Sequence, residues 1–209
     1  MGDDVFIVGD GGHARSLFNV MKRLGKIPKA FLTINSRNNL QYEIPVINED
    51  EFLNSARNEN VLLINGVGST GSLDKRKWIY KSKKYSGLRF KSIIDPSAVL
   101  FDLVNIKNGA QIMAGVVLCN NVTVGENTII NTGVTIDHDC LIGRHCHIAP
   151  GATLSGGVVV GDETHIGAGA TVIQNVILGK RCLVAAGAVV TSNFGDDCKV
   201  FGVPAQRKI

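Results

Sequence analysis

The 209-residue sequence lacks a long apolar run. No stretch reaches the roughly 18 apolar residues that a membrane-spanning helix needs. The N-terminus also lacks the basic start and apolar stretch of a secretory signal peptide. We therefore expect a cytoplasmic protein that makes no stable insertion into a membrane.

Aromatic residues are scarce as well, at 6% of the chain. No aromatic platform or known recognition motif accompanies the positive charges, so nucleic acid is not an expected partner. The net charge is +4, and much of the excess lies in residues 74–84. This segment either attracts a phosphate-bearing ligand or forms a solvated helix face with Trp78 and Ile79 turned inward.

What the sequence has instead is a six-residue repeat. Every sixth residue over 94–190 is aliphatic, and the residue four places later is small or β-branched. This period is the signature of a parallel β-helix, in which stacked coils share one core. The repeat therefore predicts an all-β domain over residues 94–209.

The phase of the repeat makes two further predictions. Three of the five cysteines, Cys140, Cys146 and Cys182, fall at the small inward positions, so we expect packing residues in a reducing compartment. Several glycines directly follow the aliphatic position, where we expect a turn with positive φ. These are Gly125, Gly143, Gly161, Gly167 and Gly179.

Residues 1–93 show a different pattern, in which strands alternate with helices. Apolar strands are predicted at 5–8, 30–33 and 61–64, and a helix follows the first one. This order indicates an α/β, Rossmann-like domain with a parallel sheet, whose ligand is expected at the carboxyl ends of the strands.

Two glycine loops follow the first and third of these strands. Gly9, Gly11 and Ala14 form a G-x-G-x-x-A turn, the pattern that holds a phosphate at a helix N-terminus. A dinucleotide-binding domain would present a carboxylate after the second strand, where this chain has 33–35, Thr-Ile-Asn, so a nicotinamide or flavin role is not expected. We predict a binding site for a phosphate-bearing ligand with these contacts: Gly9, Gly11, Gly12, His13, Asn35 and Gly66.

His13 lies within the first of these loops. It either contacts a phosphate or sugar, or ties down the loop through backbone hydrogen bonds.

One segment of the repeat, residues 131–147, concentrates reactive side chains. His138 lies two places after the inward Ile136, so it belongs to a turn, and Asp137 and Asp139 flank it. A carboxylate beside an imidazole fixes its tautomer and stabilises the imidazolium, as a general base at neutral pH requires. The alternative is an ordinary surface histidine–aspartate pair.

The chain resembles the left-handed β-helix acyltransferases, whose crossover hand departs from the usual rule. Within them it is similar to the branch of bacterial nucleotide-sugar N-acetyltransferases and sialic acid O-acetyltransferases. The resemblance covers essentially the whole chain and is carried by residues 8–14, 130–143, 147–152 and 202–205. It implies a Rossmann-like, nucleotide-sugar-binding domain over residues 1–93. An all-β left-handed parallel β-helix acetyltransferase domain with a C-terminal tail follows over residues 94–209.

The resemblance also implies roles for individual residues. His138 would be the general base that accepts a proton from the acceptor, Asp139 would orient it, and Asn131 would contact the acceptor. No metal is expected. The implied contacts to the co-substrate acetyl-CoA are His147, Gly167, Ala168, Ala185, Ala186, Gly202 and Pro204.

The implied reaction is acetyl transfer to the amino group of a nucleotide-linked deoxyamino sugar, for surface glycan biosynthesis. The alternative acceptor is a hydroxyl of a sialic acid or related sugar. If three hexads make one coil, His147 and His165 stack, whereas His138 lies half a coil from His147. Since the relatives are trimers, we predict a homotrimer with active sites between subunits.

Three departures from the family pattern stand out. Thr-Ile-Asn at 33–35 lacks the acidic residues that often hold the nucleotide base, Asp95 replaces a common histidine, and Gln206 replaces a lysine near CoA.

Two other classes compete: a scaffold without catalysis, against which the intact His138–Asp139 pair argues, and a zinc hydratase. The zinc hydratase would use His138, His145, His147 and His165.

Overall fold

The computed structural model describes residues 4–34, 44–55, 61–69 and 72–207. The chain forms two compact units, Met1–Ile93 and Ile94–Ile209. Within the described ranges, no helix has the length and apolar character needed to cross a membrane.

The first unit contains a parallel five-stranded sheet of order β3-β2-β1-β4-β5. The three predicted strands are present in this sheet. Two short strands, β3 and β5, were missed because two or three residues carry no readable period. The elements are β1 Asp4–Val8, α1 Gly12–Arg23, β2 Ala30–Thr33, β3 Val46–Asn48, α2 Glu49–Ser55, β4 Val61–Asn65, α3 Asp74–Lys81, a 3-10 turn Lys83–Tyr85 and β5 Arg89–Phe90.

Helix α3 corrects our reading of the basic segment. Ile79 is buried, but Trp78 is 55% exposed and Arg76 takes the second inward place. Residues three apart share a helix face, so Arg76 and Ile79 point inward together and Trp78 cannot join them.

The buried Arg76 is held by the backbone around the second glycine loop. Its guanidinium donates to the carbonyls of Asn65 and Val67, both at 2.9 Å, and Asn65 Nδ2 donates to the Arg76 carbonyl at 3.0 Å. Burial lowers the pKa of Arg76 to about 9. The basic segment therefore contributes one side chain that braces the loop from inside.

The second unit is a β-helix built from three parallel sheets. Sheet I contains β7, β10, β13, β16, β19 and β22, sheet II contains β8, β11, β14, β17 and β20, and sheet III contains β6, β9, β12, β15, β18, β21 and β23, with β24 antiparallel at its end. The strands are β6 Ile93–Ile94, β7 Val99–Leu100, β8 Asn105–Ile106, β9 Gln111–Ile112, β10 Val117–Leu118, β11 Thr123–Val124, β12 Ile129–Ile130, β13 Thr135–Ile136, β14 Leu141–Ile142, β15 His147–Ile148, β16 Thr153–Leu154, β17 Val159–Val160, β18 His165–Ile166, β19 Thr171–Val172, β20 Ile177–Leu178, β21 Leu183–Val184, β22 Val189–Val190, β23 Lys199–Phe201 and β24 Gln206–Arg207.

Strands that pair in these sheets are 18 residues apart along most of the β-helix, as in Ile129, His147 and His165. Three hexads therefore make one coil, which is the condition on which the predicted stacking of His147 and His165 rests. The aliphatic positions from Ile112 onward are buried in a continuous core. Leu100 is 38% exposed, because the first coil has no coil beneath it.

The cysteines at the small inward positions are confirmed as packing residues. Cys140, Cys146 and Cys182 are free thiols buried in the core. Burial raises the pKa of Cys140 to about 11 and that of Cys146 to about 12, so neither thiol ionises near neutral pH.

The expected backbone of the five turn glycines is wrong. Positive φ occurs instead at the third residue after the aliphatic position, for example at Asn121, Asp139 and Gly151. The five glycines are needed for space: a Cβ added at Gly125 would lie 2.5 Å from the carbonyl carbon of Gly143, and one at Gly161 would lie 2.5 Å from that of Gly179. Each coil therefore approaches its neighbour too closely for a side chain at these turns.

We expect Gly161→Ala to lower the free energy of unfolding by about 1–3 kcal/mol, the range for forcing extra carbon into a packed site. Gly151→Asn should change it by at most about 0.5 kcal/mol, because asparagine tolerates the left-handed region. Chemical denaturation of both variants measures the difference. Equal stabilities would contradict the close-approach explanation.

Candidate functional site

The turn of residues 137–139 joins β13 of sheet I to β14 of sheet II. His138 Nδ1 lies 2.8 Å from Asp139 Oδ2, and the His138 backbone N–H donates to Asp137 Oδ1 at 2.8 Å. The two paired side chains are 60% and 57% exposed. An ionised carboxylate only accepts hydrogen bonds, so in the neutral imidazole Nδ1 of His138 carries the proton and Nε2 keeps a lone pair.

Asn121, one coil earlier, completes the carboxylate's hydrogen bonds. Its Nδ2 donates to Asp139 Oδ1 at 2.8 Å. The hydrogen bonds from Asn121 and His138 lower the pKa of Asp139. The hydrogen bond to Asp139 and the charge of Asp137 raise the pKa of His138. We did not predict Asn121, although its spacing of 18 residues from Asp139 was the available signal.

Gly156, one coil after His138, leaves room for the imidazole. A Cβ added at Gly156 would lie 2.6 Å from Cε1 and 2.7 Å from Nε2 of His138. The ring therefore lies over the next turn, and the 18-residue spacing again carried a signal that we missed.

A second cluster forms along sheet III. Asn131 Oδ1 accepts from the Thr132 backbone N–H at 2.8 Å, which turns Nδ2 toward His147 Nε2 at 3.1 Å. The rings of His147 and His165 meet edge to face, with centroids 4.9 Å apart, which confirms the predicted stacking. Burial lowers the pKa of His165, which favours the neutral imidazole of that residue.

Small residues line the turns that follow the strands of sheet III. A Cβ added at Gly167 would clash with the Ala186 nitrogen and lie 2.6 Å from the Ala185 carbonyl carbon. Ala168 is exposed at the tip of its turn. The expected acetyl-CoA contacts Gly167, Ala168, Ala185 and Ala186 thus lie in the same column of turns as Asn131.

The C-terminal tail folds back on strand β22. The Val189 N–H donates to the Gly202 carbonyl at 3.0 Å, and the Ala205 N–H donates to the Val189 carbonyl at 2.7 Å. Gly202 and Pro204 are exposed there.

The chain does not bring His138 and His147 together. The His138 turn connects sheets I and II, whereas His147 lies in β15 of sheet III. These positions belong to different sides of the same coil.

In the first unit, the two glycine loops contact one another at the carboxyl ends of β1 and β4. The Gly66 N–H donates to the Val8 carbonyl at 2.8 Å and the Gly9 N–H to the Leu32 carbonyl at 2.7 Å. A Cβ at Gly9 would approach Val67, and one at Gly68 would lie 3.3 Å from His13 Cβ. His13 therefore packs beside the second loop.

Helix α1 begins after Gly11, which gives the helix N-terminus no side-chain cap, and its first turn holds no acidic residue. Gly12, the first helical residue, is exposed. The backbone N–H groups of this turn thus suit an anion. Asn35 lies outside the described residues.

The four histidines proposed for a zinc hydratase do not converge on one site, although His147 and His165 contact each other. His145 is buried beside Asn127, with Nδ1 and Nδ2 3.0 Å apart. Across the described ranges, no set of three or more His, Cys, Asp or Glu side chains is placed to hold a metal ion.

Among known proteins, the family of the GMPPB C-terminal domain matches residues 100–200. No curated protein matches the chain at a significant level.

Solved structures match over the full length. Perosamine N-acetyltransferase from Caulobacter crescentus, solved as a histidine-to-asparagine variant with CoA and GDP-perosamine, is 32% identical over 98% of this chain and 96% of its own, with a TM-score of 0.88. The acetyltransferase domain of PglB from Neisseria gonorrhoeae, solved with acetyl coenzyme A, is 30% identical over 100% of both chains, with a TM-score of 0.91. WeeI from Acinetobacter baumannii shares the fold at 24% identity over 98% of this chain and 99% of its own, with a TM-score of 0.86.

We expect Gly156→Ala to displace the His138 ring and lower its pKa toward the ordinary value of about 6.5. The reason is that the three atoms nearest to the added methyl group all belong to the His138 ring, so the ring must leave its position beside Asp139. NMR titration of the imidazole Cε1–H measures the pKa. Gly195→Ala, which meets no atom within 4 Å, is the control, and an unchanged pKa in Gly156→Ala would contradict the steric role.

Proposed function

Because the chain belongs to the hexapeptide-repeat, left-handed β-helix acyltransferases that act on nucleotide-linked amino sugars, we propose that it acetylates the amino group of a nucleotide-linked deoxyamino sugar. Acetyl-CoA is the donor. The observation that carries the proposal is the match over both units, since the relatives solved with CoA and GDP-perosamine cover 98% of this chain.

His138 is the general base in this proposal. Its Nε2 holds the lone pair, because Nδ1–H is directed to Asp139. The acceptor nitrogen attacks the carbonyl carbon of the acetyl thioester while Nε2 takes a proton from that nitrogen. The new C–N bond replaces the C–S bond, and CoA leaves as a thiolate that the imidazolium proton neutralises. Asp139 stabilises the imidazolium that forms.

No cysteine is needed as a nucleophile. Cys140 and Cys146 are buried with raised pKa values, and partial burial together with the charge of Asp137 raises the pKa of Cys119. Thiolates are therefore scarce at neutral pH, which supports direct transfer without an acyl-enzyme.

The acceptor's nucleotide is assigned to the first unit. The strand order 3-2-1-4-5 agrees with a Rossmann-like sheet, whose ligands bind at the carboxyl ends of strands. The two touching glycine loops lie at those ends, and Gly9, Gly11, Gly12, His13 and Gly66 belong to them. The capless start of α1 suits the diphosphate.

Acetyl-CoA is assigned to the column of small turns beside sheet III. The side chains on this surface are absent or small, so a long ligand can approach the backbone closely. The residues concerned are Gly167, Ala168, Ala185 and Ala186. His147, hydrogen-bonded to Asn131, marks the end nearest the acceptor. Gly202 and Pro204 of the C-terminal tail are assigned to the same surface. Arg207 is exposed in this tail, and it follows Gln206, the residue that replaces the family's lysine.

We also propose that the enzyme is a homotrimer with shared active sites. His138 and His147 lie on different sides of a coil. One active site can therefore contain both only if a neighbouring subunit supplies one of them. An apolar stripe on sheet II supports this, because Leu141 and Ile177 are 51% and 52% exposed with Val159 between them. The stripe begins two residues after Asp139, where a partner would complete the site.

His138→Ala should reduce kcat/KM by about 10²- to 10⁴-fold, the contribution of a general base. Because His138 is not part of the apolar stripe, the variant should sediment as the same trimer as the unsubstituted protein. Steady-state kinetics and analytical ultracentrifugation test both statements. Near-normal turnover in a folded variant would contradict the mechanism.

UDP-, GDP- and dTDP-linked 4-amino sugars, each offered with acetyl-CoA, should include at least one that releases CoA thiol. The matched control replaces the amino group of the same sugar by hydroxyl and should be inert. If none of the amino sugars causes release of CoA thiol while a free sialic acid is acetylated, the O-acetyltransferase alternative would be favoured.

A further inference from the structure

A third residue, Asn121, extends the His138–Asp139 pair into a chain of hydrogen bonds. Asn121 Nδ2 donates to one carboxylate oxygen of Asp139, and the other oxygen faces His138 Nδ1, both at 2.8 Å. Each oxygen thus has one side-chain partner. A carboxylate held at both oxygens cannot rotate without losing a hydrogen bond.

Backbone stacking fixes where Asn121 lies relative to Asp139. The Asp139 N–H donates to the Asn120 carbonyl at 3.0 Å, and the Asn121 N–H donates to the Asp102 carbonyl at 3.0 Å. The two residues are therefore equivalent positions of consecutive coils, which lie roughly 4.8 Å apart. A short amide side chain spans that gap.

The backbone alone does not require an amide at this position. Asn121 and Asp139 have φ of +61° and +60°, and the same column contains Gly157 at +69° and Asn175 at +60°. Glycine would satisfy this left-handed conformation at no steric cost. The hydrogen bond to Asp139 is what the amide of Asn121 adds.

We propose that Asn121 is a positioning residue of the acetyl transfer, which holds the carboxylate of Asp139 in the orientation that in turn directs the imidazole of His138. This inference rests on the proposed function. Asn121 does not touch the reacting atoms, so it acts only through Asp139.

The charged groups around the His138 imidazole determine which interactions change when the Asn121 amide is removed. Asp137 and Asp139 on its own turn carry the facing charges. The preceding coil contributes Cys119, whose thiol interacts with Asp137, and the following coil contributes Ser155 and Gly156, which are uncharged. In Asn121→Gly, water replaces the amide at the exposed carboxylate, so the charge stays and the fixed orientation is lost.

The test measures kcat/KM against pH for Asn121→Gly with acetyl-CoA and an active amino-sugar nucleotide. We expect the plateau at high pH to fall about tenfold, a fraction of the roughly 10²- to 10⁴-fold contribution of the base itself. Because a freely rotating Asp139 stabilises the imidazolium less, the acidic limb should move to lower pH. A merely structural defect would lower the plateau without moving the limb.

Asn175→Gly is the matched control, since it removes an exposed asparagine amide from the same left-handed position of the same column. It should leave the profile unchanged. The dependence on Asp139 is tested in a double variant. Adding Asn121→Gly to Asp139→Ala should change kcat/KM by less than about twofold, because the effects of coupled residues are not additive.

An unchanged profile in Asn121→Gly, an equal effect in Asn175→Gly, or an undiminished effect in the Asp139→Ala background would each overturn the inference. If the unsubstituted protein acetylates no nucleotide amino sugar, the proposed function fails separately. NMR titration of His138 then decides the positioning role: its pKa should fall in Asn121→Gly and stay in Asn175→Gly, and an unchanged value in both would refute it.

Discussion

Backbone hydrogen bonds between coils 18 residues apart govern the second unit and everything built on it. They place Ile129, His147 and His165 in one row and bury the aliphatic residue of nearly every hexad. They also carry turn residues of successive coils to the same corner. The candidate site is therefore a vertical stack, in which Asn121, His138 with Asp139, and Gly156 come from three consecutive coils.

The period of the sequence was sufficient to predict the coil, the core and the buried cysteines, because each follows from which side of the chain faces inward. It was insufficient for the turns. Periodicity locates a turn but does not say which of its residues takes positive φ. Gly161 and its equivalents proved to be glycine because of close approach between coils, a constraint that only the stacked backbone reveals.

The candidate site was likewise predictable only where it depends on local sequence and on the repeat spacing. The carboxylates beside His138 and the stacking of His147 on His165 followed from local sequence and spacing. Asn121 and Gly156 did not, since their roles depend on side-chain contacts across coils. Arg76 was missed for a related reason: a basic segment suggests a solvated face, and its burial follows only from the carbonyls of Asn65 and Val67 that accept its hydrogen bonds.

The left-handed turn positions also bear on how such an enzyme can change during evolution. Inserting one residue between Asn121 and Asp139 would shift every later side chain out of its column, whereas gaining or losing a whole coil preserves all of them. Chain length in this unit is therefore expected to drift in steps of one coil. Exposed turn residues can meanwhile be exchanged singly, so new acceptors can be accommodated while the aliphatic core stays the same.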